Sequence, residues 1–207
     1  MGDSFEIYKG ENKMTSLKGT KTATNLMASF AGESQANMRY TYFAKTAKKE
    51  GYVQISMIFE ETARNEMAHA KRFMNFLSED LQDAEIQIEA GFPVHLGDTK
   101  SNLKSAAEGE HFECSSMYPE FAKIAEEEGF KEIARVFTEI GEVEEAHERR
   151  YRKLLANIEE NKVFERDEVY LWKCNNCGYI HEGKTAPKKC PACAHPQSFF
   201  EIFKETY

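Results

Sequence analysis

Two short words carry the ligand-type chemistry of the first three-quarters of this chain: Glu66-x-x-His69 and Glu144-x-x-His147. On a helix, residues three apart share a face, so each word presents a carboxylate and an imidazole together. Near the C-terminus stands a second kind of word, Cys174-x-x-Cys177 followed, after twelve intervening residues, by Cys190-x-x-Cys193. That spacing is the signature of a tetrahedral four-thiolate metal site. Thiolates alone do not choose between zinc and iron.

The elements that must position the first set repeat internally. The stretch from Ala44, AKTAKKEGYVQISMIFEETARNEMAHAKRF, aligns with AKIAEEEGFKEIARVFTEIGEVEEAHERRY from Ala122 at a shift of 78 residues. Gly51 and Gly129 fall where one helix should stop and the next begin, so each copy reads as a helical hairpin. Between the hairpins, residues 80–98 contain Gly91, Pro93 and Gly97 and show no period. That is too long for a neighbour turn but long enough to run the length of helices of ~27 residues, ~40 Å. Two hairpins with one long crossover predict an all-α, ferritin-like four-helix bundle.

Apolar stripes at steps of three and four follow each helix. They read Leu26, Phe30, Glu33, Asn37, Tyr40, Ala44; Ile55, Phe59, Thr62, Glu66, His69, Phe73, Phe76; Leu103, Ala106, Glu110, Glu113, Met117, Phe121; and Ile133, Phe137, Ile140, Glu144, His147, Tyr151, Leu154. Ionisable groups interrupt every stripe near its middle. Five buried glutamates cannot stay ionised unaided, since each costs several kcal/mol. Bound cations fit best. A glutamate from each of two helices plus Glu-x-x-His from the other two is the ligand set of di-iron and di-manganese carboxylate bundles. Glu113 exceeds the minimal six and reads either as a further ligand or as a hydrogen-bond partner of the ligands. Tyr40 and Tyr118, again 78 residues apart, are placed either to pack or to hydrogen-bond the ligand carboxylates. His95, His111, His181 and His195 read as surface residues, and Cys114 as a small core residue.

After Val163 the composition becomes β-rich and aromatic, and Pro187, Pro191 and Pro196 all follow. The chain therefore divides into a polar lead-in (1–18), a helical bundle (19–162) and a small metal-bound domain (163–207). In the last, Gly178 suits a positive φ beside the thiolates. Trp172, Tyr170, Tyr179, Phe199, Phe200 and Phe203 are expected to form its aromatic core.

Across 207 residues, 35 acidic against 27 basic side chains give a net charge of −8. That balance disfavours nucleic acid and anionic membrane as partners. No apolar run reaches the roughly 18 residues of a membrane span. The opening MGDSFEIYKGENKM lacks a secretory apolar core, and Met14 is an alternative start. The expected compartment is the cytoplasm, where thiols stay reduced.

The words FAGESQA, NEMAHAKRF, GEHFECSSMYPEFAKIAEEEGF, EEAHERR, CNNCGYIHEG and CPACAHP, in this order, resemble the rubrerythrin family over nearly the whole chain after Leu17. The resemblance implies a non-haem di-iron site and an iron, or zinc in its place, in a rubredoxin-like four-cysteine domain. It implies reduction of hydrogen peroxide, with electrons from an NAD(P)H-dependent rubredoxin reductase or rubredoxin, and a homodimer or higher homo-oligomer. By motif, Glu66 and Glu144 bridge the irons, Glu33 serves one, and Glu110 with His147 serve the other. His69 and Glu113 are implied to exchange as ligands between reduced and oxidised states, with Tyr40 and Tyr118 bonded to the ligands. Two other readings remain: an iron oxidase or storage protein on the same bundle, and a non-enzymatic helical interaction protein with a zinc ribbon.

Overall fold

The computed structural model describes residues 16–206. Five α-helices are followed by a small sheet: α1 Lys21–Lys49, α2 Val53–Asp80, α3 Thr99–Phe112, α4 Tyr118–Glu127 and α5 Lys131–Glu159, then β1 Glu165–Cys174, β2 Ile180–Thr185 and β3 Phe200–Ile202. A π-helical segment, Glu113–Met117, joins α3 to α4 without a turn, so α3 to α4 act as one bundle helix. The result is a ferritin-like four-helix bundle, with hairpins α1–α2 and α3/α4–α5 joined by the irregular crossover between Asp80 and Thr99. No helix among the described residues is long and apolar enough to cross a membrane.

Both hairpin turns use the same chemistry. Gly51 and Gly129 adopt φ of 87° and 89°, a left-handed conformation that glycine takes without a Cβ penalty. Tyr52 N–H then donates to Ala47 O and Phe130 N–H to Ala125 O, both at 2.8 Å, closing each helix end. The glutamate preceding each glycine reaches the other hairpin. Glu50 accepts from Thr99 N–H at the start of α3, at 2.9 Å. Glu128 accepts from the N–H groups of Lys21 and Thr22 at the start of α1, at 3.0 and 2.8 Å. Each half of the bundle thus caps a helix of the other, satisfying donors that a helix cannot pair itself.

Apolar residues gather in two clusters. One contains Tyr40, Phe43, Phe59, Leu103 and Tyr151. The other contains Leu26, Phe73, Leu77, Tyr118 and Phe137. The predicted stripes of α1, α2 and α5 face this core. On α3/α4 the predicted Met117 and Phe121 pack half-buried against the second cluster, as Phe30 and Phe76 do, while Tyr118 and Ala125, outside the predicted stripe, are fully buried. The π segment inserts one extra residue, closed by Tyr118 N–H on Glu113 O, and advances the inward face by one position. Leu17, read from sequence as lead-in, is buried against the second cluster. Residues 1–15 of that lead-in lie outside the described residues.

The C-terminal sheet is antiparallel in the order β2–β1–β3. Trp172, Cys174, Ala186, Cys190 and Phe200 form its buried centre, with Tyr179 and Phe199 partly covered against them. Tyr170, expected in this core, is exposed instead. Strand β3 pairs β1 only from Trp172 to Cys174 and leaves Tyr170 uncovered. The module rests on the start of α2, where the Tyr52 and Phe164 rings lie parallel with centroids 6.4 Å apart.

Candidate metal centres

At mid-bundle the four helices deliver two overlapping clusters. Glu33, Glu66, His69 and Glu144 form one, and Glu66, Glu110, Glu144 and His147 the other, with ligand-type atoms within 4.8 Å in each. Glu66 and Glu144 belong to both. The symmetry is close: His69 Nδ1 lies 2.9 Å from Glu144, 3.1 Å from Glu66 and 3.8 Å from Glu33. His147 Nδ1 lies 2.7 Å from Glu144, 3.3 Å from Glu66 and 3.9 Å from Glu110. Each imidazole faces the two shared carboxylates and one private one.

The burial of this group tests whether metal fits it. The four glutamates are at most 1% exposed. Glu66 Oε1, both oxygens of Glu144 and His147 Nδ1 are buried with no hydrogen-bond partner. Native interiors rarely orphan such atoms, and uncompensated buried carboxylates are strongly destabilising. Lone pairs converging at contact distance, without hydrogen-bonding geometry, are what coordination to two cations requires. Oxygen-rich sites with one imidazole each suit iron.

Without cations, protons must do the balancing. Burial, then the neighbouring Glu144 and Glu66, pushes the Glu33 carboxyl up to about 8 even though His69 opposes it. Burial holds Glu110 well above the usual range, reinforced by Glu144 and Glu66. Burial would depress His69, but its close contacts with the Glu144, Glu33 and Glu66 carboxylates outweigh it and raise the imidazole to about 12. The same contest lifts His147 to about 9 through Glu144 and Glu66. Glu144 moves the other way, to about 2: burial raises it, but the two imidazoles dominate. Metal binding therefore has to displace protons from the imidazoles.

Two tyrosines lock the private carboxylates. Tyr40 O–H donates to Glu110 Oε1 at 2.7 Å, and Tyr118 O–H donates to Glu33 Oε1. Each tyrosine belongs to one hairpin and its glutamate to the other. Burial first, then Glu110 beside Tyr40 and Glu33 beside Tyr118, keeps both phenols well above their ordinary range, so they remain donors. Such contacts orient ligands from outside the metal shell.

Every sequence-predicted ligand except Glu113 falls within a cluster. Glu113 opens the π segment, half-buried and outside both clusters. Burial, then Glu33, Glu144 and Glu66, holds its carboxyl well above the usual range, while Arg39 pulls the other way. Glu113 and Arg39 both line a cavity of about 310 Å³ covered by Phe92 and Pro93 of the crossover. Cys114, expected in the core, is only half-buried and turns outward, 3.7 Å from Glu148. The extra residue of the π segment carries it off the inward face.

Sequence reasoning missed the π segment, although the repeat holds its trace. Glu110 follows Glu33 by 77 residues, as Thr99 follows Thr22. Tyr118 follows Tyr40 by 78, as Glu128 follows Glu50. One residue is therefore inserted between Glu110 and Tyr118, where π geometry is found. Tyr151, read only as a stripe residue, proves to be buried beside Tyr40 with its hydroxyl unpartnered.

In the C-terminal module Cys174, Cys177, Cys190 and Cys193 converge. The Cys174–Cys193 and Cys177–Cys190 sulfur separations are both 3.7 Å. A tetrahedron with metal–sulfur bonds of ~2.3 Å has an edge of ~3.8 Å, so the cage matches a single ion. Gly178 and Ala194 take φ of 79° and 61° one residue after Cys177 and Cys193. The following N–H groups, of Tyr179 and His195, are thereby aimed at those two sulfurs.

A carboxylate-bridged two-metal bundle joined to a four-thiolate module defines a class of iron protein. The rubrerythrin family model matches residues 24–155, and the model of the rubrerythrin rubredoxin-like domain matches residues 172–201. The chain is 64% identical over 195 residues to a rubrerythrin of Clostridium perfringens, covering 94% of this chain and all of that one. It is 52% identical over 190 residues to the rubrerythrin of Nitratidesulfovibrio vulgaris, covering 91% and 97%. A solved structure of partially reduced nigerythrin superposes with a TM-score of 0.60 at 32% identity, over 98% of this chain and all of that one. The di-iron bacterioferritin of Desulfovibrio desulfuricans does so at 0.62 and 25% identity, over 69% and 82%. The chain belongs to the rubrerythrin family. Its cofactors are accordingly a non-haem di-iron centre in the bundle and one iron in the four-cysteine module.

Proposed function

We propose that the protein is a peroxidase that reduces hydrogen peroxide to two waters in defence against oxidative stress in the cytoplasm. The observation carrying this reading is the pairing, in one chain, of a two-metal carboxylate site with a four-thiolate site. A storage protein needs only the first. When bound, the two irons supply both electrons that O–O cleavage consumes, with two protons, so that no one-electron oxygen radical is released.

The side chains have separable roles. Glu66 and Glu144, shared by both clusters, would hold the two irons together. Glu33 and Glu110, pinned by Tyr118 and Tyr40, keep their geometry as charge changes. His69 and Glu113 are proposed to alternate at one position, since the neutral imidazole suits a reduced site and the anionic carboxylate an oxidised one. Both apolar clusters exclude bulk water from the centre.

Electrons are proposed to arrive through the four-cysteine iron, from rubredoxin or an NAD(P)H-dependent rubredoxin reductase. Within one chain the module sits at Tyr52, 14 residues along α2 from Glu66. That is about 21 Å of helix before the module begins. A second copy placing its module beside this bundle shortens the relay, so we expect a homodimer. The test is anaerobic peroxide turnover driven by NADH through rubredoxin and its reductase, with iron assayed before and after. One NADH per peroxide and constant iron support the reading. Uptake and oxidation of many irons per chain, without peroxide turnover, would replace it with iron storage.

A further inference from the structure

Outside the two centres, one other set of metal-type side chains closes up among the described residues. His111 ends α3, Cys114 lies three residues on in the π segment, and Glu148 projects from α5. His111 Nδ1 is 3.1 Å from Glu148 Oε2, and Cys114 Sγ is 3.7 Å from the same oxygen. We propose that these three residues form a separate binding site for a thiophilic divalent cation of the zinc type.

Zinc bonds of ~2.1 Å to nitrogen and oxygen and ~2.3 Å to sulfur give tetrahedral edges of ~3.4 Å and ~3.6 Å. The observed 3.1 and 3.7 Å separations are close to both, and all three ligand atoms lie within 4.8 Å of one another. Glu148 is already oriented: its other oxygen, Oε1, accepts from Arg152 Nε at 2.6 Å, leaving Oε2 to the imidazole and thiol. The three groups open on a cavity of about 470 Å³, also lined by Glu142 and Glu145. Those two carboxylates add to the pull on a cation, Arg152 opposes it, and the cavity leaves the fourth position to water.

An exposed His–Glu pair by itself is an ordinary surface contact of little energy. A surface pair does not account for the thiol brought to the same carboxylate oxygen. The π insertion produces that approach by carrying Cys114 off the inward face and toward α5. A filled site would tie the start of the π segment to α5, immediately beside Glu113. Binding replaces the thiol proton by the cation, so one proton is released per ion bound from neutral thiol.

The test is calorimetric titration of Zn²⁺ into the iron-loaded protein in two buffers of different ionisation enthalpy, with iron assayed afterwards. The expected result is one zinc per chain, release of about one proton and unchanged iron. Cys114→Ser and His111→Ala should each weaken binding by more than the roughly 10–100-fold that changes outside a metal's shell cause. Zinc should also raise the unfolding temperature of the wild type but not of Cys114→Ser. No binding, binding unaltered in both variants, or uptake matched by loss of iron would overturn the site.

Discussion

The two halves of the bundle start from one plan and differ at one place. Helix α1 runs unbroken through Glu33 to Tyr40, whereas α3 and α4 are interrupted by the π segment between Glu110 and Tyr118. The shared plan gives matched sites: two private glutamates, two tyrosines crossing between halves, two Glu-x-x-His words and two cross-hairpin caps. At the start of the interruption Glu113 stands where the unbroken half has Ala36. Pairing and charge compensation come from the symmetry, and the asymmetric half carries the carboxylate proposed above to alternate with His69. A π turn is poorer helix, and its presence beside a metal centre fits a functional position.

The comparison breaks most severely if a shared ligand is lost. Glu66→Ala should empty both metal positions and abolish peroxide turnover while leaving the colour of the thiolate-bound iron. Glu33→Ala should weaken chiefly the His69 position. Iron per chain, measured beside the visible spectrum, separates the two, and equal losses would contradict the distinction between shared and private ligands.

Removing the asymmetry is the next test. Deleting Glu113 should join α3 to α4 as a regular helix like α1, with helicity and iron content kept. Turnover should fall by about tenfold or more, since loss of even a partner outside a metal shell costs that much. Circular dichroism, iron assay and peroxide kinetics read the three quantities.

The crossed tyrosines should then behave alike. Tyr118→Phe and Tyr40→Phe each leave a buried carboxylate oxygen without its donor, at about 1–3 kcal/mol. Equal losses in denaturant unfolding support the pseudo-symmetry, and a large inequality would localise strain to one half.

How much of this was legible beforehand follows from what kind of signal each feature leaves. Glu66, Glu144, His69 and His147 were readable because a repeated word on an apolar stripe has no inexpensive structural explanation. The four cysteines were readable from spacing alone. Stripe analysis assumes a constant 3.6-residue period, so it passed over Tyr118 and Ala125, which lie deepest once the π segment advances the helix face. Tyr170 was misjudged because aromatic content does not say how far a short β3 reaches. The caps of Glu50 and Glu128 depend on where the hairpins dock, which sequence patterning does not encode.

The smallest effect concerns those caps. Glu128 is drawn upward by burial, but the Thr22 hydroxyl and the N–H groups of Thr22 and Lys21 hold its carboxyl below its ordinary range. Its contribution, about 1 kcal/mol as for other helix caps, is therefore present above the unfolded glutamate value near ~4.3. It is lost as pH falls through the lower folded value. Glu128→Gln should flatten that part of the pH–stability curve, and an unchanged curve would remove the cap from the account.

The central claim is that buried mid-bundle carboxylates are neutralised by two bound irons. Anaerobic titration of the metal-free protein with ferrous iron, followed by calorimetric unfolding, tests it most directly. The account predicts two irons per bundle beyond the one in the four-cysteine module, and a clear rise in unfolding temperature as they bind. Equal stability of metal-free and loaded bundles, or a bundle that takes up no iron, would contradict it.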